Sequence, residues 1–269
     1  MFEFEYDALS EEQINACLRR IGWEGETEHT IECLSALIGQ FQSTLPFDNQ
    51  DICYGHLRSL DLSREHLFEK IVEGQRGGVC FEMNSLLLML LRGLGFDAYL
   101  CICRVASGRT ELANLTHCAV IVRLDGKQYY CDVGYGGPAA SFAVELSESR
   151  QTVHDETYWI EDTCEGWRLL MRMDSEGNKA PVIVFLPAAV LQKDRLLLSD
   201  YLFGNPENFF ASKPVMNIRT KSGHKSLTGN VFTRVDAVRC SERLLRDSEI
   251  ENVLHDEFRV DYKGRELRE

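Results

Sequence analysis

The chain has 269 residues, a hydrophobic fraction of 44%, a charged fraction of 26% and a formal net charge of −13. That length buries a substantial core and leaves room for two or three lobes, and the composition excludes a disordered, fibrous or low-complexity chain. The acidic balance excludes general nucleic-acid binding, because a phosphate backbone needs a basic footprint; an anionic ligand must find a local basic patch.

The opening run "MFEFEYDALSEEQ" is acidic and has no cationic start followed by an apolar stretch, so it does not read as an export signal. The longest apolar run, Leu86 to Leu91, is far too short to span a bilayer. These features predict a soluble cytoplasmic protein with no membrane partner. Ten cysteines lie dispersed through the chain and none forms CxxC, which predicts reduced thiols and argues against a zinc or other metal site.

Ser10 and Gln13 form a capping box, and Ile14, Cys17, Leu18 and Ile21 recur at helical spacing until Gly22. A second helix carries Ile31, Leu34, Leu37, Ile38 and Phe41 on one side and ends before "LPFDNQD". "SREHLFEKIVEG" predicts a third helix, and a fourth runs from near Cys80 to Gly93 or Gly95. The first ninety or so residues are therefore a helical bundle.

From Phe96 the period changes to two: "FDAYLCICRV", "THCAVIVRL", "KQYYCDVGY", "TYWIED", "GWRLLMRMD" and "APVIVFL" predict an antiparallel sheet or barrel. After Pro187 come a helix-like "AAVLQKDRLLLSDYLFG", short strands around "MNIRTKSG" and "HKSLTGNVFTRVD", and an amphipathic helix in "DSEIENVLHDEF". This last part predicts a smaller α+β lobe.

Gly77 and Gly78 stand directly before Cys80, where they permit backbone angles and close approaches that a Cβ would block. Cys80 then sits at a helix N-terminus, whose free N–H groups and dipole favour a thiolate. The bland alternative is a buried cysteine acting as a small hydrophobe. A nucleophilic thiolate needs a base and a group that orients the base. Asp125-Gly126 predicts a two-residue hairpin turn that sets Leu124 opposite Lys127 and Ala119 opposite Asp132. His117 and Asp132 then become diagonal cross-strand neighbours on one face, with backbones about 7–8 Å apart.

The runs "KIVEGQRGGVCFEMN", "LLRGLGFDAYLCICRV", "THCAVIV" and "YYCDVGYGG" closely resemble the arylamine N-acetyltransferases, as do "CLRRIGW", "LPFDNQD" and, more weakly, "GHKSLTGN". The resemblance implies an α+β fold of three lobes with a Cys-His-Asp core. Residues 1–94 would be a helical bundle carrying the nucleophile, 95–190 a β-barrel carrying the histidine and aspartate, and 191–269 an α/β lid. It implies Cys80, His117 and Asp132 as the catalytic triad. The implied reaction is ping-pong transfer from acetyl-CoA to an arylamine or hydrazine, with no metal. Two other reactions suit a Cys-His-Asp site: a carrier-dependent amide synthesis within the same family, and a thiol hydrolase or transglutaminase-like reaction.

The backbone N–H of Cys80 is one expected oxyanion donor, and the resemblance implies the backbone of Thr116 as another. Arg76 and Glu82 are expected to pair across the Gly-Gly turn, with Glu82 also complementing the helix dipole and Asn84 bonding nearby backbone. By resemblance Phe47 and Tyr135 line an aromatic acceptor slot, and Met216 or Ile218 forms its far wall. Between Glu207 and Asp236 there is no acidic residue, whereas Lys213, Arg219, Lys221, Lys225 and Arg234 supply five positive charges beside His224. Lys213, Lys221, His224 and Lys225 are therefore the expected CoA-phosphate contacts, with Gly134 and Gly136 allowing close approach of the cofactor. The sequence leaves the oligomeric state open.

Overall fold

The computed structural model describes residues 6–55, 59–137, 139–204, 212–236 and 238–260. Five helical segments occupy the first third: α1 (Glu11–Arg20), α2 (Ile31–Thr44), α3 (Gln50–Gly55), α4 (Arg64–Leu67) and α5 (Cys80–Gly93). The Ser10 hydroxyl caps α1 at the Gln13 N–H, 3.3 Å, and the Gln13 side chain returns to the Ser10 N–H, 3.1 Å. Acidic Glu11 and Glu12 in its first turn and basic Arg19 and Arg20 in its last complement the dipole. α2 buries Leu34, Leu37, Ile38 and Phe41 against α5, whose residues Cys80 to Leu91 are all buried.

The third predicted helix is not uniform. α4 widens at once into a π-helical turn, Phe68–Glu73. Its exit is held by Gly74 N–H to Glu69 O at 2.7 Å and Arg76 N–H to Lys70 O at 3.2 Å. Widening of this kind is concentrated at sites where a side chain must be re-aimed, and here Lys70 faces the start of α5.

The middle of the chain forms an eight-stranded antiparallel sheet in the order β5-β4-β3-β2-β9-β8-β7-β6. Its strands are β2 (Asp97–Val105), β3 (His117–Leu124), β4 (Lys127–Cys131), β5 (Val144–Glu145), β6 (Gln151–Val153), β7 (Glu156–Asp162), β8 (Arg168–Met173) and β9 (Lys179–Leu186). The edges curl toward each other, joined by the Glu145 N–H to Gln151 Oε1 at 2.7 Å and the Ile160 N–H to Ser147 O at 3.0 Å, so the sheet is a nearly closed barrel. Alternation sorts the β3 side chains: Cys118, Val120 and Val122 pack toward the helices, whereas Ala119 and Ile121 point into the barrel with Cys101, Cys103, Tyr130 and Phe185.

The last third combines α6 (Gln192–Phe203), strands β10 (Val215–Thr220), β11 (Gly223–Thr228), β12 (Val231–Val235) and β13 (Cys240–Leu244), and helix α7 (Asp247–Phe258). Its five-stranded sheet takes its edge strand, β1 (Phe47–Asp48), from the helical lobe, in the order β1-β10-β11-β12-β13. A third core forms between this sheet and α7, around Met216, Leu227, Leu254 and Phe258. The outer ends of the expected three-lobe division, residues 1–5 and 261–269, lie outside the described residues. No helix among the described residues is long and apolar enough to cross a membrane.

Candidate active site

The Gly-Gly pair before α5 is demanded by close approach. A Cβ on Gly77 would stand 2.3 Å from Pro46 O and 2.7 Å from Asp48 Cβ, and one on Gly78 3.0 Å from the Glu82 side chain. Pro46 to Asp48 thus lie directly against the turn, with the Asp48 N–H bonded to Gly78 O at 3.0 Å. Glu82, at the third helical position, accepts the Val79 N–H on Oε2 at 2.9 Å. Its other oxygen pairs with Lys70 at 2.7 Å, not with Arg76. Arg76 instead reaches Asp51 at 2.9 Å and Asp48 at 3.5 Å, and Lys70 also meets Asp51 at 3.1 Å. The expected Arg76–Glu82 pair is absent because the π-helical turn presents Lys70 to the helix start, while Arg76 turns back toward α3. Burial pushes the Asp51 carboxyl up, but Lys70 and Arg76 outweigh it and hold it down to about 2.

This braced turn places Cys80 at the first position of α5. His117 opens β3 and Asp132 follows β4, and their hairpin has the expected register, with Leu124 opposite Lys127 and Val120 opposite Cys131. Asp125 and Gly126 both take positive φ, 51° and 75°, as a type I′ turn requires. His117 Nε2 lies 2.6 Å from Asp132 Oδ2, and the Cys80 side chain is near enough to act electrostatically on the ring. Cys80, His117 and Asp132 are 6%, 3% and 4% exposed, so the contact forms almost out of water.

Asp132 is saturated with donors. Oδ2 takes His117 and the Tyr130 hydroxyl, 2.9 Å; Oδ1 takes Asn84 Nδ2, 3.0 Å, and the Gly134 N–H, 2.9 Å. Asn84 also donates to Cys118 O at 2.8 Å and accepts the Val133 N–H at 3.0 Å, so it holds a side chain as well as the expected backbone. Burial raises the Asp132 carboxyl, but the charge and hydrogen bond of His117, with the Asn84 and Gly134 donors, bring it below its ordinary range. Burial likewise opposes the imidazolium of His117, yet Asp132 and then Cys80 outweigh it and raise the ring to about 10. The arrangement favours a charged imidazolium beside the Asp132 carboxylate.

Thr116 turns its carbonyl, an acceptor, to the sulfur at 3.8 Å. An oxyanion needs donors, and the Cys80 N–H belongs to the first helical turn, whose donors have no intrahelical acceptor.

Tyr135 meets the His117 ring edge-on, with centroids 5.7 Å apart, and Phe47 lies under Gly136, where a Cβ would come within 3.0 Å of its ring. Tyr135 is thus beside His117, and Phe47 packs on the turn that follows Asp132. Met216 is fully buried in the third core, with Ile218 beside it. Alternation along β10 turns 215, 217 and 219 the other way, and the register sets Asn217 opposite Phe47.

The expected phosphate patch is largely engaged within the protein. Arg219 pairs with Glu156 at 2.6 Å, and Lys225 and Arg234 bracket Glu257 at 2.8 and 2.6 Å. Lys213 and Lys221 are exposed, and His224 is half-buried with its pKa lowered by burial and by Arg219. Nor do Gly134 and Gly136 hold space open for a ligand. A Cβ on Gly134 would lie 2.7 Å from Cys80 Cα, and the Gly136 site is filled by Phe47.

Three contributors escaped the sequence reading. Gln42 donates to Asp132 O at 2.7 Å and Ala140 O at 2.8 Å, but nothing in the α2 pattern distinguishes it from a solvent-facing glutamine. Lys70 is one charge among many on its helix. Tyr130 alone carried a signal, because it stands two residues before Asp132 and therefore on the same side of the strand. Among the described residues, no group of three or more His, Cys, Asp or Glu side chains is placed to hold a metal ion.

A family model described as N-acetyltransferase matches residues 30–267. The chain is 32% identical over 158 residues to the arylamine N-acetyltransferase of Escherichia coli K12, an alignment that spans 58% of this chain and only 56% of that protein. It is 30% identical over 219 residues to the arylamine N-acetyltransferase of Mycolicibacterium smegmatis, 79% of this chain and 78% of the relative. The solved structure of the Mycobacterium marinum arylamine N-acetyltransferase in complex with CoA matches with a TM-score of 0.83 at 25% identity, over 92% of each chain.

Proposed function

The chain belongs to the arylamine N-acetyltransferase family, and from that premise we propose that it moves an acetyl group from acetyl-CoA to an aromatic amine or hydrazine through a thioester on Cys80. The observation that carries this reading is the buried contact of Cys80, His117 and Asp132, in which the carboxylate has no acceptor site left for water. The CoA complex of the related M. marinum enzyme supports the donor.

In the first half-reaction the Cys80 thiolate attacks the thioester carbonyl. The carbon–sulfur bond to CoA breaks, and the departing thiolate takes the proton of the His117 imidazolium. Exchange of one thioester for another is nearly balanced, so sulfur is a suitable nucleophile. In the second, the amine nitrogen attacks the acetyl-cysteine carbonyl, neutral His117 takes the amine proton, and the Cys80 thiolate leaves, restoring the ion pair. Asp132 fixes the ring so that its second nitrogen faces Cys80. Phe47 and Tyr135 offer the acceptor flat apolar walls.

Intact-mass measurement after mixing with acetyl-CoA and no amine tests the reading. The expected result is a gain of one acetyl group, lost in Cys80→Ser and discharged by an added arylamine. A gain that persists in Cys80→Ser, or no gain from any free acyl-CoA, would sink it.

A further inference from the structure

Tyr130 lies in β4 two residues before Asp132, and alternation sends both side chains to the barrel interior. Its hydroxyl stands 2.9 Å from Asp132 Oδ2, the oxygen that also accepts His117 Nε2 at 2.6 Å. The phenol is 2% exposed and its ring packs on Phe185 with centroids 4.8 Å apart, so its direction is fixed. Burial, then the charge of Asp132, pushes the phenol well above its ordinary range, which keeps it a donor. Among the described residues, the donors to Oδ2 are Tyr130 and His117.

Two donors on one oxygen compete for its electron density. We infer that Tyr130 is a positioning residue of the triad which, by occupying one side of Oδ2, limits how tightly Asp132 grips the ring proton of His117. The inference rests on the catalytic reading of that triad. An imidazole gripped without limit would stay protonated and be a poor acceptor for the amine proton in the second half-reaction. The other titratable groups that face the pair are Cys80 from α5, Cys101 and Cys103 from β2, Cys118 from β3, Cys131 from β4 and Tyr135 beyond it. Burial pushes the Cys103, Cys118 and Cys131 thiols well above their ordinary range.

The test compares the full chain with Tyr130→Phe, which keeps the ring on Phe185. Two readouts follow His117 across pH: its ring Cε1 shift by NMR, and the alkaline limb of Cys80 alkylation by iodoacetamide. Loss of the phenol donor is expected to move both upward by about half a pH unit or more. A residue that merely packs would change the melting temperature and leave the imidazole titration in place; an unmoved titration, or one that moves in the opposite sense, overturns the inference. Neither readout requires acetyl transfer. A shift without transferase activity sinks the functional reading alone, and activity with an unmoved imidazole sinks this inference alone.

Discussion

Asn84 Nδ2 stands 3.0 Å from Asp132 Oδ1 while Asn84 Oδ1 accepts the Val133 N–H at 3.0 Å, so one amide from the nucleophile's helix grips both the carboxylate and the backbone that follows it. Asn84→Leu keeps the size but leaves the Val133 N–H buried and unpaired. The expected loss is about 1–3 kcal/mol of stability and about 100-fold in kcat through misplacement of the carboxylate. Thermal unfolding and steady-state acetylation of an arylamine measure the two; a variant with wild-type kcat contradicts the assignment.

Stability should fall on the alkaline side. His117 is raised from 6.5 to about 10, so its contribution is fully present below about pH 6.5 and is lost as pH rises through 10. Asp132 is lowered from 3.8, so its contribution is present above pH 3.8 and is lost as pH falls below it. The melting temperature is therefore expected to decline between pH 6.5 and 10, and that decline to flatten in Asp132→Asn, a variant also expected to lose turnover. Parallel curves for the two proteins would show that the pair does not set the slope.

Lys70 neutralises Glu82 and Asp51 at the start of α5, with side-chain exposures of 10%, 2% and 14%. Lys70→Met strands the Glu82 carboxylate and leaves Asp51 to Arg76. About 3–5 kcal/mol of stability should be lost, and part should return in the double variant Lys70→Met with Glu82→Gln. Urea denaturation of the single and double variants gives the comparison; if the double is no more stable than the single, Glu82 is not the partner that matters.

Gly134→Ala sets a methyl 2.7 Å from Cys80 Cα and 2.9 Å from Asn84 Nδ2. Overpacking of this kind costs about 1–3 kcal/mol. The protein should still fold, yet lose acetyl loading on Cys80 by intact mass, since the nucleophile must move. Undiminished loading would show that α5 yields without moving the sulfur.

What the sequence revealed follows from locality. A two-residue turn and the period of a strand transmit parity along the chain, so Asp125-Gly126 placed His117 beside Asp132 fifteen residues away. The same parity puts Tyr130 beside Asp132 and turns Met216 away from Asn217. The resemblance to a known family supplied Met216 or Ile218 as a wall, and the structure sets both in the third core. Charge pairing carries no such local rule. Arg76 lies closer in sequence to Glu82 than Lys70 does, but an unforeseen π-helical turn decides which cation arrives. Arg219, Lys225 and Arg234 are engaged by Glu156 and Glu257, acids that lie outside the basic run after Glu207.

Arg219 bears on how the lobes are joined. From β10 its guanidinium donates to Gln42 Oε1 on α2 at 2.7 Å, to Glu156 Oε1 on β7 at 2.6 Å and to Ala139 O, while Gln42 in turn holds the carbonyl of Asp132. A hinge along that seam would have to strip one cation of three acceptors at once and would tug on the backbone beneath the triad. The third lobe is therefore a standing wall at this edge, not a swinging door, anchored to the same backbone that carries Asp132.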